Sequence, residues 1–534
     1  MSAVTIFFGI SSGVFGGLIL LAQFVSDAFI WVSLPLFPLF FLGVWDVTQK
    51  RKAVLRNFPV IGHFRYLFEL IRPEIQQYFI ESDTDGKPFN RDERSIVYQR
   101  AKAALSTRPF GTLNDLDRTG TEIVVHSLNA KEPTDHNPRT RIGEDRCEKP
   151  YDAALLNISA MSYGSLSASA IRALNGGAAI GGFFHNTGEG GISPYHLEPG
   201  GDLCWQIGTG YFGCRGERGG FDAERFRQNA IRPEVKLIEI KLSQGAKPGH
   251  GGILPAQKVT EEIAAIRNVP LGQDVLSPPQ HSAFGSPVEL LQFVDELRKL
   301  SGGKPVGIKL CVGRPREFLG IIKAALDTGL MFDFVSVDGA EGGTGAAPLE
   351  FANSIGLPLT EGLLVVQNAL VGTNLRDQTK IIAAGKVVTG FHIVQRLAIG
   401  ADLCNSARGM MFALGCIQAL RCNSNHCPVG VATNNPSLER GLVVEDKRQR
   451  VASFQKHTVE AAMEILGAAG LERPDDLTPS HLFRRRSSSH FHSYEDIYDF
   501  FEPGDLLEGR LGKRDSDYDE LFAREWAAAK TGVF

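Results

Sequence analysis

From residue 155 onward, short apolar or β-branched runs alternate with helix-compatible stretches and glycine-rich turns, at 155–160, 236–241, 306–310, 332–338, 380–384 and 402–407. Runs that are apolar throughout belong to strands covered on both faces, and strands separated by helices pair in parallel through crossovers. The pattern therefore predicts an α/β fold. A single (β/α)₈ TIM-type barrel with additions at both ends accounts for a chain of 534 residues. The formal net charge of -4 gives no reason to expect a nucleic-acid partner.

Ahead of this region lie two apolar runs, 3–25 and 28–45, separated only by Ser26 and Asp27. At ~1.5 Å per residue each is long enough for a hydrocarbon layer of ~30 Å, and so short a connection predicts a helical hairpin. A cleaved signal peptide wants a basic segment before its apolar core, and no side chain before Asp27 is charged. Pro35 and Pro38 leave the alternative that the second run is re-entrant or interfacial. Lys50, Arg51, Lys52 and Arg56 follow directly and assign that flank, and everything after it, to the cytoplasmic side of the inner or plasma membrane. The expected organisation is a membrane hairpin at 1–47, a connector packed on the barrel at 48–150, the barrel at 151–475 and a charged, aromatic tail at 476–534.

Eight cysteines are too few for a disulfide scaffold in a chain of this length, and three of them, Cys416, Cys422 and Cys427, fall in one loop as C-x₅-C-x₄-C. The other five, Cys147, Cys204, Cys214, Cys311 and Cys404, are expected to be small buried hydrophobes. Three thiolates with no fourth suit a three-iron cluster. A Cys₃His zinc site including His426 is the rival, although adjacent His426 and Cys427 suit tetrahedral ligation poorly; a loop without metal is the third reading.

The run from Cys416 to Thr433, ending Cys427-Pro428-Val429-Gly430-Val431-Ala432-Thr433, resembles the cluster loop of glutamate synthases. Further matches follow in the same order: Ile158 to Ser167, Asn186-Thr187-Gly188-Glu189-Gly190-Gly191, Gln244 to Gly249, Ser277-Pro278-Pro279 and Asp338 to Gly345. Together they cover 155–471, and the segments 56–60 and 94–100 look like short, stand-alone, membrane-anchored members of that family. The resemblance implies an FMN-binding barrel with a [3Fe-4S] cluster held by Cys416, Cys422 and Cys427. It further implies 2-oxoglutarate as substrate, reduced by hydride as its imine with ammonia. Electrons would come from a ferredoxin-like or other donor, and ammonia from a separate glutaminase or from solution.

In such barrels the site lies at the C-terminal strand ends, with phosphate at the loops after strands seven and eight. Counting back from the cysteine loop makes 380–384 strand seven and 402–407 strand eight, which puts Gly385, Arg408 and Gly409 at the phosphate. Ala160, Met161 and Ser162, ending the first strand, would lie beneath the flavin. Lys309 is an isolated lysine in an apolar run, costly to bury, and is expected to face the flavin or a substrate carboxylate. Lys241, Gln244 and Glu189 are further candidates for handling substrate. Gly208 to Gly213 matches G-x-G-x-x-G, but no strong strand is evident before it and no helix after it, so a nicotinamide site is not expected there.

Three departures bear on the substrate. No amidotransferase region with a catalytic cysteine is recognised before the barrel, His250 stands where the family commonly has glutamate, and Gln280 follows Ser277-Pro278-Pro279. A flavin and iron–sulfur enzyme of another amino acid, of the N-methylglutamate type, and a non-catalytic membrane redox relay therefore stay as alternatives.

Overall fold

The computed structural model describes residues 2–511 and 516–534, which form two compact units, Met1–Arg91 and Asp92–Phe534. In the first unit, helix α1 (Ala3–Phe24) is capped by Ser2, whose hydroxyl accepts from Thr5 N. The chain then turns back through α2 (Ala28–Ser33) and α3 (Leu36–Thr48). The two legs are antiparallel neighbours: Phe15 meets Phe37 at 5.0 Å between ring centroids, and Phe7 meets Phe40 at 6.2 Å. Gly43 faces the Phe7 ring so closely that a side chain there would collide with it.

Two uninterrupted spanning helices were the expectation, and here the structure differs. Among the described residues only α1 is long and apolar enough to cross a bilayer as a single helix. The return leg is broken because Pro35, which lacks an N–H, occupies the N-cap of α3. Beyond it come α4 (Ala53–Asn57) and α5 (His63–Ile75).

The second unit is a closed barrel of eight strands. These are β1 (Leu156–Ile158), β2 (His185–Asn186), β3 (Leu203–Ile207), β4 (Val235–Lys241), β5 (Val306–Leu310), β6 (Phe334–Asp338), β7 (Lys380–Ala384) and β8 (Leu403–Ser406). They pair in parallel in chain order, and β8 closes on β1 through Ser406 beside Ile158. Six of the eight coincide with the apolar runs of the sequence. β2 and β3 do not stand out there, because β2 has two residues and β3 carries Gln206 among its apolar ones. β3 also corrects one expectation: a strand does precede Gly208. What keeps that glycine stretch from being a dinucleotide loop is the missing helix, since the next one begins only at Ala223.

Alternation along each strand fills the barrel in layers. At the N-terminal end Cys204, Leu237, Phe334, Ile382 and Leu403 pack with Phe184. An antiparallel hairpin of Arg139–Ile142 and Tyr151–Ala154 adds Ile142, Ala153 and Tyr151 to this cluster and closes that end. Beside it, fully buried Asp333 accepts from Arg298 Nε at 3.1 Å and Val306 N at 2.8 Å, tying the start of β5 to that of β6. The C-terminal segment docks on the same unit. Leu482–Arg485 pairs with Glu122–Val124 and Phe491–Ser493, and Glu525 on the helix Asp517–Ala528 binds Arg316 through two contacts of 2.7 and 2.8 Å.

Candidate functional site

Two residues above the apolar layer, the same inward-facing register turns polar. Glu239 on β4 accepts from Asn186 at 2.8 Å, Gln206 at 2.6 Å and Ser336 at 2.5 Å, contributed by β2, β3 and β6. One residue pair higher, Lys241 on β4 and Lys309 on β5 stand side by side in register. Lys241 Nζ lies 2.8 Å from Glu189 Oε1 in the loop after β2, and Lys309 Nζ lies 3.5 Å from Asp338 Oδ2 at the end of β6. Three of the residues singled out in the sequence, Lys309, Lys241 and Glu189, thus meet at the C-terminal mouth of the barrel.

The electrostatics bind these groups into one unit. Burial pulls the Lys309 amine toward its neutral form, and Asp338, Glu239 and Glu189 outweigh it, so the proton is held more tightly than usual. Burial would raise the Glu189 carboxyl, yet Lys241, with Lys247 and Arg267 behind it, keeps it below its ordinary range. Lys247 and Arg267 were not singled out in the sequence: Lys247 lies within the family-like stretch Gln244 to Gly249 without standing apart from it, and Arg267 ends the short helix Glu261–Arg267, where nothing marks it over other cations. Burial lowers Lys247 to about 8, against a partial restoring effect of Glu189, and lowers Arg267 to about 10. Arg267 donates to Tyr163 O at 2.8 Å and its guanidinium lies 5.1 Å from the centre of the Phe212 ring. Its Nε is buried without a hydrogen-bond partner.

Close loop packing frames this cluster. Gly188, with φ of 63°, presses against the backbone of Met161 and Ser162, where any side chain would strike Ser162 N. Ala160, Met161 and Ser162 are half-buried at the end of β1. Gly245 is packed on the Gly339 carbonyl, and its N–H donates to Asp338 Oδ2 at 3.0 Å, joining the loops after β4 and β6. Gln244, beside it, is half-buried in that loop. His250 turns its ring edge to Phe351 at 5.4 Å, and Gln280 is exposed.

Gly385 follows β7, and Arg408 and Gly409 open the helix Arg408–Leu414 directly after β8. β7 and β8 are adjacent, with Ala384 level with Asn405, so the three residues share one edge of the barrel mouth. The helix has no side-chain cap at Ala407, which leaves its first amides suited to an anion. Arg408 reaches across Gly343 and donates to Glu341 O at 2.6 Å. Gly385, Gly409 and the start of the helix thus lie along one edge, with the Arg408 guanidinium turned toward the loop after β6.

The cysteine loop follows the same helix. Tyr98 Oη donates to Cys416 O at 2.6 Å, and Thr433 Oγ1 donates to Asn425 O at 2.7 Å. Lys258 Nζ donates to Ser165 O and Ala432 O at 3.0 Å each, tying the loop to the segment after β1. Burial pushes the Cys416 thiol up to about 12, with Cys422 and Cys427 adding to the shift. Among the described residues no group of three His, Cys, Asp or Glu is placed to grip one metal ion. All eight cysteines are free; Cys204, Cys214, Cys311 and Cys404 are buried, as expected, and Cys147 is half-buried.

The chain is 38% identical over 495 residues to the glutamate synthase large subunit-like protein YerD of Bacillus subtilis (strain 168), covering 85% of this chain and 94% of that protein. It is 35% identical over 322 residues to the archaeal glutamate synthase [NADPH] of Methanocaldococcus jannaschii, covering 60% of each, so it spans about three-fifths of that relative's length. A solved mandelate oxidase structure overlays with a TM-score of 0.38 at 16% identity, covering 77% of this chain and 95% of that one. Residues 112–472 match the conserved region in glutamate synthase, and that span, most of the barrel unit, shows that the chain belongs to the glutamate synthase family.

Proposed function

We propose that this chain is a glutamate synthase-like oxidoreductase of the CH–NH₂ class that forms glutamate by reductive amination of 2-oxoglutarate, using FMN and a [3Fe-4S] cluster. The observation that carries the reading is the group of four cations, Lys241, Lys247, Lys309 and Arg267, around Glu189, Glu239 and Asp338 at the barrel mouth. An excess of buried cations at the mouth of a barrel suits a small dicarboxylate.

FMN, when bound, would supply hydride to the substrate carbon, and the cluster would pass electrons singly. Gly385, Arg408 and Gly409 would hold the FMN phosphate, Ala160 to Ser162 would lie under the ring, and Cys416, Cys422 and Cys427 would ligate the cluster. Arg267 and Lys247 hold the substrate carboxylates. Lys241, held by Glu189 at 2.8 Å, would donate the proton when the carbonyl oxygen leaves as water on imine formation. Lys309, fixed by Asp338, presents a positive charge to the face at which negative charge develops. Gln244 would bond the substrate from the loop after β4. A ferredoxin-like or other donor supplies electrons, and a separate glutaminase or free ammonia supplies nitrogen.

Anaerobically purified protein, supplied with a reduced low-potential donor, 2-oxoglutarate and ammonium, should form glutamate. Donor oxidation that is indifferent to 2-oxoglutarate, in protein loaded with flavin and iron, rejects the substrate assignment.

A further inference from the structure

Helix α5 leaves a complete apolar face uncovered. Phe64, Leu67, Phe68, Ile71 and Ile75 recur at the spacing of one helical side, while Arg65, Glu69 and Gln76 lie away from it. No residue of α5 is buried, and Phe64 and Phe68 are 56% and 59% exposed. A helix of 13 residues is marginal in water without tertiary contacts, so this one needs something to lie against.

Its anchorage says what that is. Asp46, fully buried in the last turn of α3, accepts Val60 N at 2.9 Å and lies 2.9 Å from His63 Nε2, the first residue of α5. Lys52 sits over the Tyr66 ring at 4.3 Å. α5 therefore starts where the apolar return leg ends and the basic flank begins, beside exposed Trp45. If α1 and its return leg sit in a bilayer, that level is the headgroup region, where tryptophan also collects. Lys50, Arg51, Lys52, Arg56, Arg65 and Arg72 against Glu69 and Glu74 leave residues 50–75 with four more cations than anions, most of them in the segment just ahead of α5.

We propose that α5 lies in the plane of an anionic phospholipid surface, its Phe64–Ile75 face sunk into the acyl boundary and its basic residues on the headgroups. The inference rests on reading the hairpin as membrane-inserted, and the test separates the two. Full-length protein in phosphatidylcholine vesicles, with and without phosphatidylserine, is irradiated with a phospholipid carrying a photoreactive group in its upper acyl chain, and the adducts are mapped by mass spectrometry. Adducts should appear on α1 and on Phe64, Leu67, Phe68 and Ile71, and those on α5 should fall severalfold without phosphatidylserine. The double variant Phe64→Ser, Phe68→Ser should lose the α5 adducts and keep those on α1. Adducts on α1 alone overturn the inference and leave the hairpin reading intact; adducts on neither overturn both. Equal α5 labelling in neutral vesicles, or cross-links of α5 to a second copy in place of lipid, also overturns it.

Discussion

Lys247 holds its proton less firmly than an ordinary lysine, because burial lowers it to about 8 while Glu189 only partly compensates. As the pH rises through about 8 the site loses this cation, and KM for 2-oxoglutarate should climb; Lys247→Arg, charged throughout, should flatten the profile. Stability moves the other way. The folded-state value lies below the ordinary 10.5, so between the two the unfolded chain binds more protons and the fold gains with rising pH. A rising KM with an undiminished melting temperature is the expected signature, and a KM that is flat across this range removes Lys247 from the substrate site. Arg408 carries the second prediction at this scale. Arg408→Ala should weaken FMN retention by ~1.5 to 3 kcal/mol, about ten- to over a hundredfold, measured by flavin release in protein that keeps its iron and fold. Lys309 and Lys241 were legible as charges in apolar strands. Asp338 was legible as the last residue of the run 332–338 but not as a partner of Lys309, and Lys247, in the loop after β4, and Arg267, at the end of the helix Glu261–Arg267, reach the cluster only through the fold of that segment.

β5 and β6 are held together at their N-terminal ends by one carboxylate. Asp333 is fully buried, receives Arg298 and Val306 N, and lies 3.4 Å from Arg146 Nε. Asp333→Ala removes the buried anion and leaves the nearly buried Arg298 with only the half-buried Asp295, at 3.5 Å, as a carboxylate partner, so unfolding free energy should drop by up to ~3 to 5 kcal/mol in denaturant titration. A loss under ~1 kcal/mol would mean that solvent or another carboxylate takes over at Arg298. This tie was invisible in the sequence, where Asp333 merely interrupts an apolar run. The strands themselves were legible to the extent that they are apolar. β7 and β8 agree with the runs at 380–384 and 402–407 to within one residue at each end, whereas β2 and β3 gave no period to detect. For the return leg, composition marks 28–45 as apolar throughout, and only Pro35 and Pro38 signalled in the sequence that the run need not be one continuous helix; the break falls at Pro35, which lacks an N–H.

For the molecule as a whole, sidedness is the property that both units must satisfy. α1 carries no charge over 22 residues, and the antiparallel contacts of Phe15 with Phe37 and Phe7 with Phe40 bring the end of α3 back to the starting end of α1. Lys50, Arg51, Lys52 and Arg56 follow at that end, so on the proposal that the hairpin is membrane-inserted the positive-inside rule predicts a cytoplasmic position for both it and the beginning of α1. A reporter fused after Phe534 and a tag ahead of α1 should accordingly both report the cytoplasmic side. The two positions discriminate between geometries. A hairpin that crosses and returns puts both inside, whereas a single crossing by α1, with the return leg lying in the interface, puts the leading tag outside and the barrel inside. The aromatic contacts between the legs favour the first, because a leg lying flat would have to give up the Phe7–Phe40 and Gly43–Phe7 packing. A leading tag that is protected in intact cells and exposed only on permeabilisation, together with an active cytoplasmic reporter at the other end, is the expected result. An external leading tag with an internal barrel means that α1 alone spans, and an external barrel reverses the charge argument on which the assignment of both units depends.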